Sequence, residues 1–276
     1  MPSTPPEQFA TKAEIKRLKA LLRERRARDD EGVFVCEGPR VIAAALDHGV
    51  ELLECFVGVD ATSDMRAVAS RVAATGVPVR VLDTYAGARV GDTVNPQPVF
   101  ALAAMRRLGV EAFDGVDLAL VASRLGDPGN AGTLVRSAAA AGAQLIVLGK
   151  GSVDAYNPKV VRASAGACFA VRIVEGMAAV EILETLGAQG VVRLGATARG
   201  GAAPEAFDLR APTAFVLGHE TQGLDPGLPI DGAVTIPMGA GESLNVAMAG
   251  TALLFEAARQ RRATPSRATS SRAIPR

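Results

Sequence analysis

The chain contains no tryptophan, two tyrosines, two histidines and three cysteines in 276 residues. Cys36, Cys55 and Cys168 are odd in number and lack Cys-x-x-Cys spacing, which argues against a disulfide framework and against a structural zinc site. A reducing, cytoplasmic setting is the expectation. His48 and His219 stand alone, with no second histidine at helical spacing, so no metal is expected. The longest uncharged apolar stretches, around SAAAAGAQLIVLG and SLNVAMAGTALLF, fall short of the roughly 20 residues that a membrane span needs. The opening MPSTPPEQFATK has no basic region followed by an apolar one, so no secretory signal is expected.

Nucleotide and hydrolase fingerprints are missing as well. No Gly-x-Gly-x-x-Gly follows a predicted strand, no Gly-x-x-x-x-Gly-Lys-Ser/Thr loop occurs, and no Gly-x-Ser-x-Gly elbow is found. A nicotinamide-dependent enzyme then rests on fold analogy alone.

What is present is an ordinary globular composition, 49% hydrophobic and 21% charged. The formal net charge of +1 hides an uneven distribution. Lys12 to Arg28 holds eight basic side chains against two acidic ones, and Arg259 to Arg276 holds six arginines and no acid. Such basic ends suit a polyanion, with Lys16, Lys19, Arg23 and Arg26 as candidate contacts. Solvated helix faces explain a lone basic run equally well.

AEIKRLKALLRERRARD carries Ile15, Leu18 and Leu22 on one stripe and predicts a single amphipathic helix. Strands are expected at GVFVCEG, ELLECFVGV, VPVRVLD and within NPQPVFALAAMRRLG, alternating with helices at PRVIAAALDHG and SDMRAVASRVAATG. This is a small α/β unit, bounded near residue 110, with residues 1–11 expected to be flexible. Beyond it, DLALVAS, DPGNAGTLVRSAAAAG and AQLIVLG read as strand, helix, strand, hence a mostly parallel sheet over 111–263. Further strands are expected at CFAVRIV, VVRLGAT, TAFVLG and AVTIPM, with a closing helix from Leu244 to about Arg261. The Ser/Thr/Pro/Arg-rich stretch 264–276 is expected to be a disordered basic tail.

Three polar segments sit at strand ends of the second unit, where open α/β sheets place ligands. In GDPGNAGTLVRSAAAAGA, Asn130 can cap the helix, and Arg136 lies one and a half turns into an alanine-rich stretch. FVLGHETQGL places His219, Glu220, Thr221 and Gln222 directly after a strand. TIPMGAGESLNVAMAG leads through glycines to Ser243 and Asn245; helix capping accounts for Ser243 but does not require Asn245.

Together these segments closely resemble the three motifs of the SpoU/TrmH family of RNA 2′-O-ribose methyltransferases, over roughly residues 117 to 261. Asn130, Gly132 and Arg136 match the first motif; Gly218, Glu220, Gly223 and Leu224 the second; Ile236, Pro237, Met238, Ser243, Leu244 and Asn245 the third. The resemblance implies a SPOUT fold with a deep trefoil knot, S-adenosylmethionine as cofactor, and a homodimer. It implies Arg136, Asn130, Glu220, Ser243 and Asn245 as catalytic residues, Glu220 orienting Arg136 or accepting the proton and Arg136 also meeting RNA. Leu217, Gly218, Ile236, Met238, Leu244 and Ala247 are the implied cofactor contacts. GVFVCEGPRVIAAAL and NPQPVFAL make the first unit similar to a ribosomal RNA-binding protein, which favours ribosomal RNA over transfer RNA as substrate. A non-catalytic RNA-binding or ribosome-associated protein of the same fold, and a transfer-RNA 2′-O-methyltransferase, are the alternative readings. Two features depart from the family pattern: the loop between Met238 and Ser243 is one residue short, and His219 replaces a small or amide residue.

Overall fold

In the computed structural model, residues 8–91, 97–239 and 243–263 are described. The expectations of flexibility before residue 8, of disorder over 264–276 and of a short loop at 240–242 lie outside them.

The first sheet is built from β1 (Gln8–Phe9), β2 (Val33–Glu37), β3 (Leu52–Gly58), β4 (Val79–Leu82) and β5 (Val99–Ala104), in the order β1-β4-β3-β5-β2. β1, β4 and β3 run parallel, while β5 is antiparallel to both β3 and β2. Its helices are α1 (Lys12–Arg23), α2 (Arg25–Glu31), α3 (Pro39–Asp47), α4 (Ser63–Ala73) and α5 (Thr84–Val90). Strand alternation sends Val33, Val35, Phe100 and Leu102 to one face, against Leu18 and Leu21 of α1. Phe34, Cys36, Val99 and Ala101 go to the other, against Ile42 of α3 and Val68 of α4. Both faces are covered there, so β2 and β5 are almost wholly buried.

Residues 8–11, within the stretch 1–11 expected to be flexible, are held in place. Gln8 and Phe9 pair with Arg80 and Val81, and a Thr11–Glu14 capping box starts α1. The single helix expected over 13–29 is broken at Glu24, whose backbone is extended. The break has a tertiary cause. It turns Arg28 inward, where its guanidinium donates to the Leu21 carbonyl at 2.7 Å and to Asp154 at 2.5 Å.

The second sheet comprises β6 (Leu118–Ala122), β7 (Leu145–Leu148), β8 (Arg172–Glu175), β9 (Val192–Ala196), β10 (Thr213–Leu217) and β11 (Gly232–Val234), all parallel, in the order β11-β9-β10-β6-β7-β8. α6 (Pro128–Ala141), α7 (Pro158–Ala163), α8 (Ala179–Ala188) and α9 (Val246–Ala263) complete it. Leu118, Leu120 and Ala122 pack under α6 and α9, while Ala119 and Val121 face Ile182, Leu183 and Leu186 of α8. Gly250 lets α9 lie close on α6, since a Cβ there would stand 2.6 Å from Leu134. The strand order reverses between β6 and β10, which leaves a crevice at their carboxyl ends.

Within CFAVRIV only Arg172–Glu175 is strand, because Ala167–Phe169 forms a 3₁₀ turn that packs on the first unit. AVTIPM shortens to Gly232–Val234, and the closing helix begins at Val246 rather than Leu244.

The two sheets meet through the segment 154–169. Arg28 and Asp154 are 2% and 5% exposed, so this ion pair is dry and joins the two halves. Arg162 reaches the buried Glu37 at 2.8 Å, and the Tyr156 hydroxyl both accepts from the Arg106 amide and donates to its carbonyl. Gly166, at φ +89, allows contact with Ala44, where a Cβ would stand 2.4 Å from the alanine methyl. The three thiols are free, and burial pushes Cys55 up to about 12 and Cys168 up to about 11. No helix among the described residues is long and apolar enough to cross a membrane.

Candidate active site

The site begins at the turn after β6. Asp127, not Asn130, caps α6: its carboxylate accepts the Asn130 amide at 2.7 Å. Asn130 lies inside the first turn of the helix, with its side chain released from capping. That side chain does something else. Its Nδ2 donates to Glu220 at 3.1 Å and its Oδ1 accepts from Asn245 Nδ2 at 3.2 Å. One amide therefore ties together the three polar segments singled out in the sequence.

Each partner is fixed in turn by its own loop. After β10, His219 and Gly223 exchange two backbone hydrogen bonds at 2.8 and 2.9 Å and close a tight loop that carries Glu220. Gly218 is required there, because a Cβ would fall 2.1 Å from the Gly223 carbonyl carbon. Asn245 caps α9, its Oδ1 accepting the Ala247 amide at 2.9 Å and the Met248 amide at 3.4 Å. The cap expected of Ser243 thus belongs to Asn245. Ser137 and Thr251, 2.7 Å apart, pin α6 to α9 nearby.

Beside this cluster lies a cavity of about 310 Å³ at the carboxyl ends of β9, β10 and β11. Its apolar wall is formed by Leu217, Val234, Ile236, Met238, Leu244 and Leu253. Its polar lining consists of Thr197, His219, Glu220, Thr221 and Ser243. Of the six expected cofactor contacts, Leu217, Gly218, Ile236, Met238 and Leu244 line it. Ala247 does not. It is 1% exposed in the core beneath, and α9 presents Val246, Ala249 and Leu253 to the cavity instead.

Sequence reasoning missed Ala196, Thr197 and Ala198, which form a further wall at the end of β9. The available signal was their position after a parallel strand. Thr197 is held by the Thr235 hydroxyl at 3.0 Å, which also accepts the Gly201 amide at 2.9 Å.

Arg136 is exposed on α6 and makes no hydrogen bond or ion pair to the described residues. The expected Glu220–Arg136 contact is absent among them; Asn130 holds Glu220 instead. The expected basic face of the first helix is also partly spent inside the protein. Arg28 is buried, Arg17 pairs with Glu31 and Glu54, and Arg25 pairs with Asp29 and Glu175. Lys16, Arg23 and Arg26 are exposed and Lys19 is half-buried, with Arg26 paired to Asp30. At the other basic end, Arg261 turns inward to the carbonyls of Leu209, Asp117 and Ala211, and Arg259 pairs with Glu256. Among the described residues no group of three or more His, Cys, Asp or Glu side chains could hold a metal ion.

Comparison with known proteins addresses the same segments. Residues 117–255 match the model of the SpoU rRNA Methylase family, and residues 12–101 match that of the MRM3-like substrate binding domain. An uncharacterized tRNA/rRNA methyltransferase of Synechocystis sp. is 32% identical over 250 residues, covering 89% of this chain and 90% of that protein. The 23S rRNA (guanosine(2553)-2'-O)-methyltransferase RlmP of Bacillus subtilis is 30% identical over 237 residues, covering 85% and 92%. The crystal structure of the SpoU methyltransferase AviRb from Streptomyces viridochromogenes in complex with AdoMet superposes with a TM-score of 0.80 at 28% identity, covering 90% of this chain and 98% of that one.

Proposed function

The chain belongs to the SpoU rRNA methylase family, and from that premise we propose that it transfers a methyl group from S-adenosylmethionine to a ribose 2′-hydroxyl of ribosomal RNA. The observation that carries this reading is the junction at Asn130, which ties Asn245 to Glu220, a residue lining the cavity at the ends of β9, β10 and β11.

The cavity suits the cofactor. Its volume is within the usual range for small-molecule sites, its apolar wall fits a nucleoside, and its polar lining fits an amino-acid tail. Leu217, Ile236, Met238 and Leu244 would hold the nucleoside, with the Gly218 loop close against it. When bound, the cofactor supplies a methyl group on a positively charged sulfur.

The chain's own residues do the rest. Transfer to a hydroxyl requires in-line alignment and removal of a proton from a weak acid. A guanidinium is a donor and not a base, so the role of Arg136 is donation, to an RNA phosphate and to negative charge developing on the ribose oxygen. Glu220 takes the proton in this reading, which is supported by Asn130 fixing one of its oxygens. Ser243 lines the cavity and Asn245 orders the start of α9. This chemistry needs no metal.

The division of labour follows the chain, with 1–110 as the RNA-binding unit and 111–263 as the catalytic one. The ribosomal-protein likeness favours ribosomal over transfer RNA. The free thiols suit a cytoplasmic enzyme. The knot belongs to the same reading, supported by the return of the chain from edge strand β11 to α9 lying on α6. So does a homodimer, for which the support is an exposed apolar strip of Leu244, Met248 and Phe255 beside the site.

Arg136→Ala tests the assignment. It is expected to abolish methyl transfer while S-adenosylhomocysteine still binds with wild-type affinity in calorimetry. Wild-type turnover by that variant would remove Arg136 from the mechanism.

A further inference from the structure

The polar lining of the cavity contains a group that the reading above leaves without a task. No lysine or arginine lines the cavity among the described residues. The cofactor nevertheless carries a carboxylate on its amino-acid tail, and Glu220, close by, is acidic. Among the described residues, His219 is the lining side chain able to offer an N–H to that carboxylate.

Its hydrogen bonds determine which nitrogen is available. The Thr221 amide points at His219 Nδ1 from 3.2 Å, and the Thr221 hydroxyl lies 3.1 Å from the same atom. A backbone N–H can only donate, so Nδ1 is the acceptor and the ring proton resides on Nε2. The far edge of the imidazole is thereby left with the ring's one donor, and a flip of the ring would give up both Thr221 contacts. Glu220 is drawn toward Asn130 at 3.1 Å, which reduces competition for a neighbouring anion.

We propose that His219 is a cofactor-positioning residue whose Nε2–H binds the carboxylate of the S-adenosylmethionine tail. The proposal rests on the methyltransferase reading and extends it to a side chain at which the sequence departs from the family pattern.

Two substitutions separate the two edges of the ring. His219→Asn keeps an acceptor for the Thr221 amide and loses the far donor. His219→Gln keeps an N–H near the Nε2 position and gives up the turn. Calorimetric Kd values are measured for S-adenosylhomocysteine, which has the tail, and for 5′-methylthioadenosine, which lacks it. His219→Asn is expected to weaken S-adenosylhomocysteine on the order of tenfold, the size of one hydrogen bond to a charged group. Its affinity for 5′-methylthioadenosine stays within about twofold, and His219→Gln restores most of the lost affinity. Equal losses for both ligands, or no loss for S-adenosylhomocysteine, would overturn the proposal. If the wild-type chain bound neither ligand, the methyltransferase reading itself would fall, a result distinct from an effect confined to His219.

Discussion

Asn130 satisfies two partners with one side chain, so its loss leaves both Glu220 and Asn245 without their shared anchor. Asn130→Ala is expected to lower kcat by about ten- to a hundredfold, the cost of one or two positioning hydrogen bonds, while Kd for S-adenosylhomocysteine is unchanged. A parallel rise in that Kd would show that Asn130 shapes the cavity rather than the reacting groups. Gly218→Ala works in the opposite direction. The added methyl collides with the Gly223 backbone and must open the loop, so cofactor binding is expected to be lost. At this scale the sequence singled out Asn130, Glu220 and Asn245, which the fold brings together, but not how they are held. Asp127 and Asn130 are both good caps, and only the fold decides that Asp127 holds the helix and frees Asn130. Arg136 could be picked out because it is the only charge in its helix, whereas its distance from Glu220 depends on loops that no periodicity encodes.

The elements that join the two sheets set the geometry within which the site works. Arg28→Ala would strand the Asp154 carboxylate in a dry interface, at a cost of about 3–5 kcal/mol, measurable by urea denaturation. Glu175 lies beside this pair. Burial raises its carboxyl above the ordinary 4.5, against the opposing bond from the Ala155 amide, and neighbouring Asp154 raises it further. The folded state therefore holds this proton more tightly than the unfolded chain. Stability from Glu175 is fully present below about 4.5 and is lost as pH rises through the raised value. Glu175→Gln is expected to flatten that part of a Tm-against-pH curve, and an unchanged slope would contradict the burial argument. These contacts also explain what the sequence could not show. A strong 3.6-residue stripe predicted one long first helix, but the Arg28–Asp154 pair bridges residues 126 apart and outweighs local propensity. The strands were readable because their apolar runs are continuous, whereas α5 and α7, of seven and six residues, are too short to repeat a helical stripe; the stripe of Ile182, Leu183 and Leu186 in α8 was legible and went unread.

For the whole molecule, Lys16, Lys19 and Arg23 on α1 and Arg26 on α2 are the cations proposed to meet RNA. Replacing Lys16, Lys19, Arg23 and Arg26 with glutamine is expected to weaken RNA binding and to reduce the slope of log K against log salt by up to about 3–4. An unchanged slope would place the RNA elsewhere. Burying Met248 and Phe255 against a second copy predicts a dimer by sedimentation velocity, and Met248→Asp with Phe255→Asp should yield monomers that bind cofactor poorly. The most direct measurement of the central claim is mass spectrometry of nucleosides from ribosomal RNA incubated with S-adenosylmethionine and the wild-type chain, alongside Arg136→Ala. The account predicts a new 2′-O-methylated nucleoside with the wild type and none with the variant. A methyl group found on a base, or no methylated product from competent RNA, would contradict it.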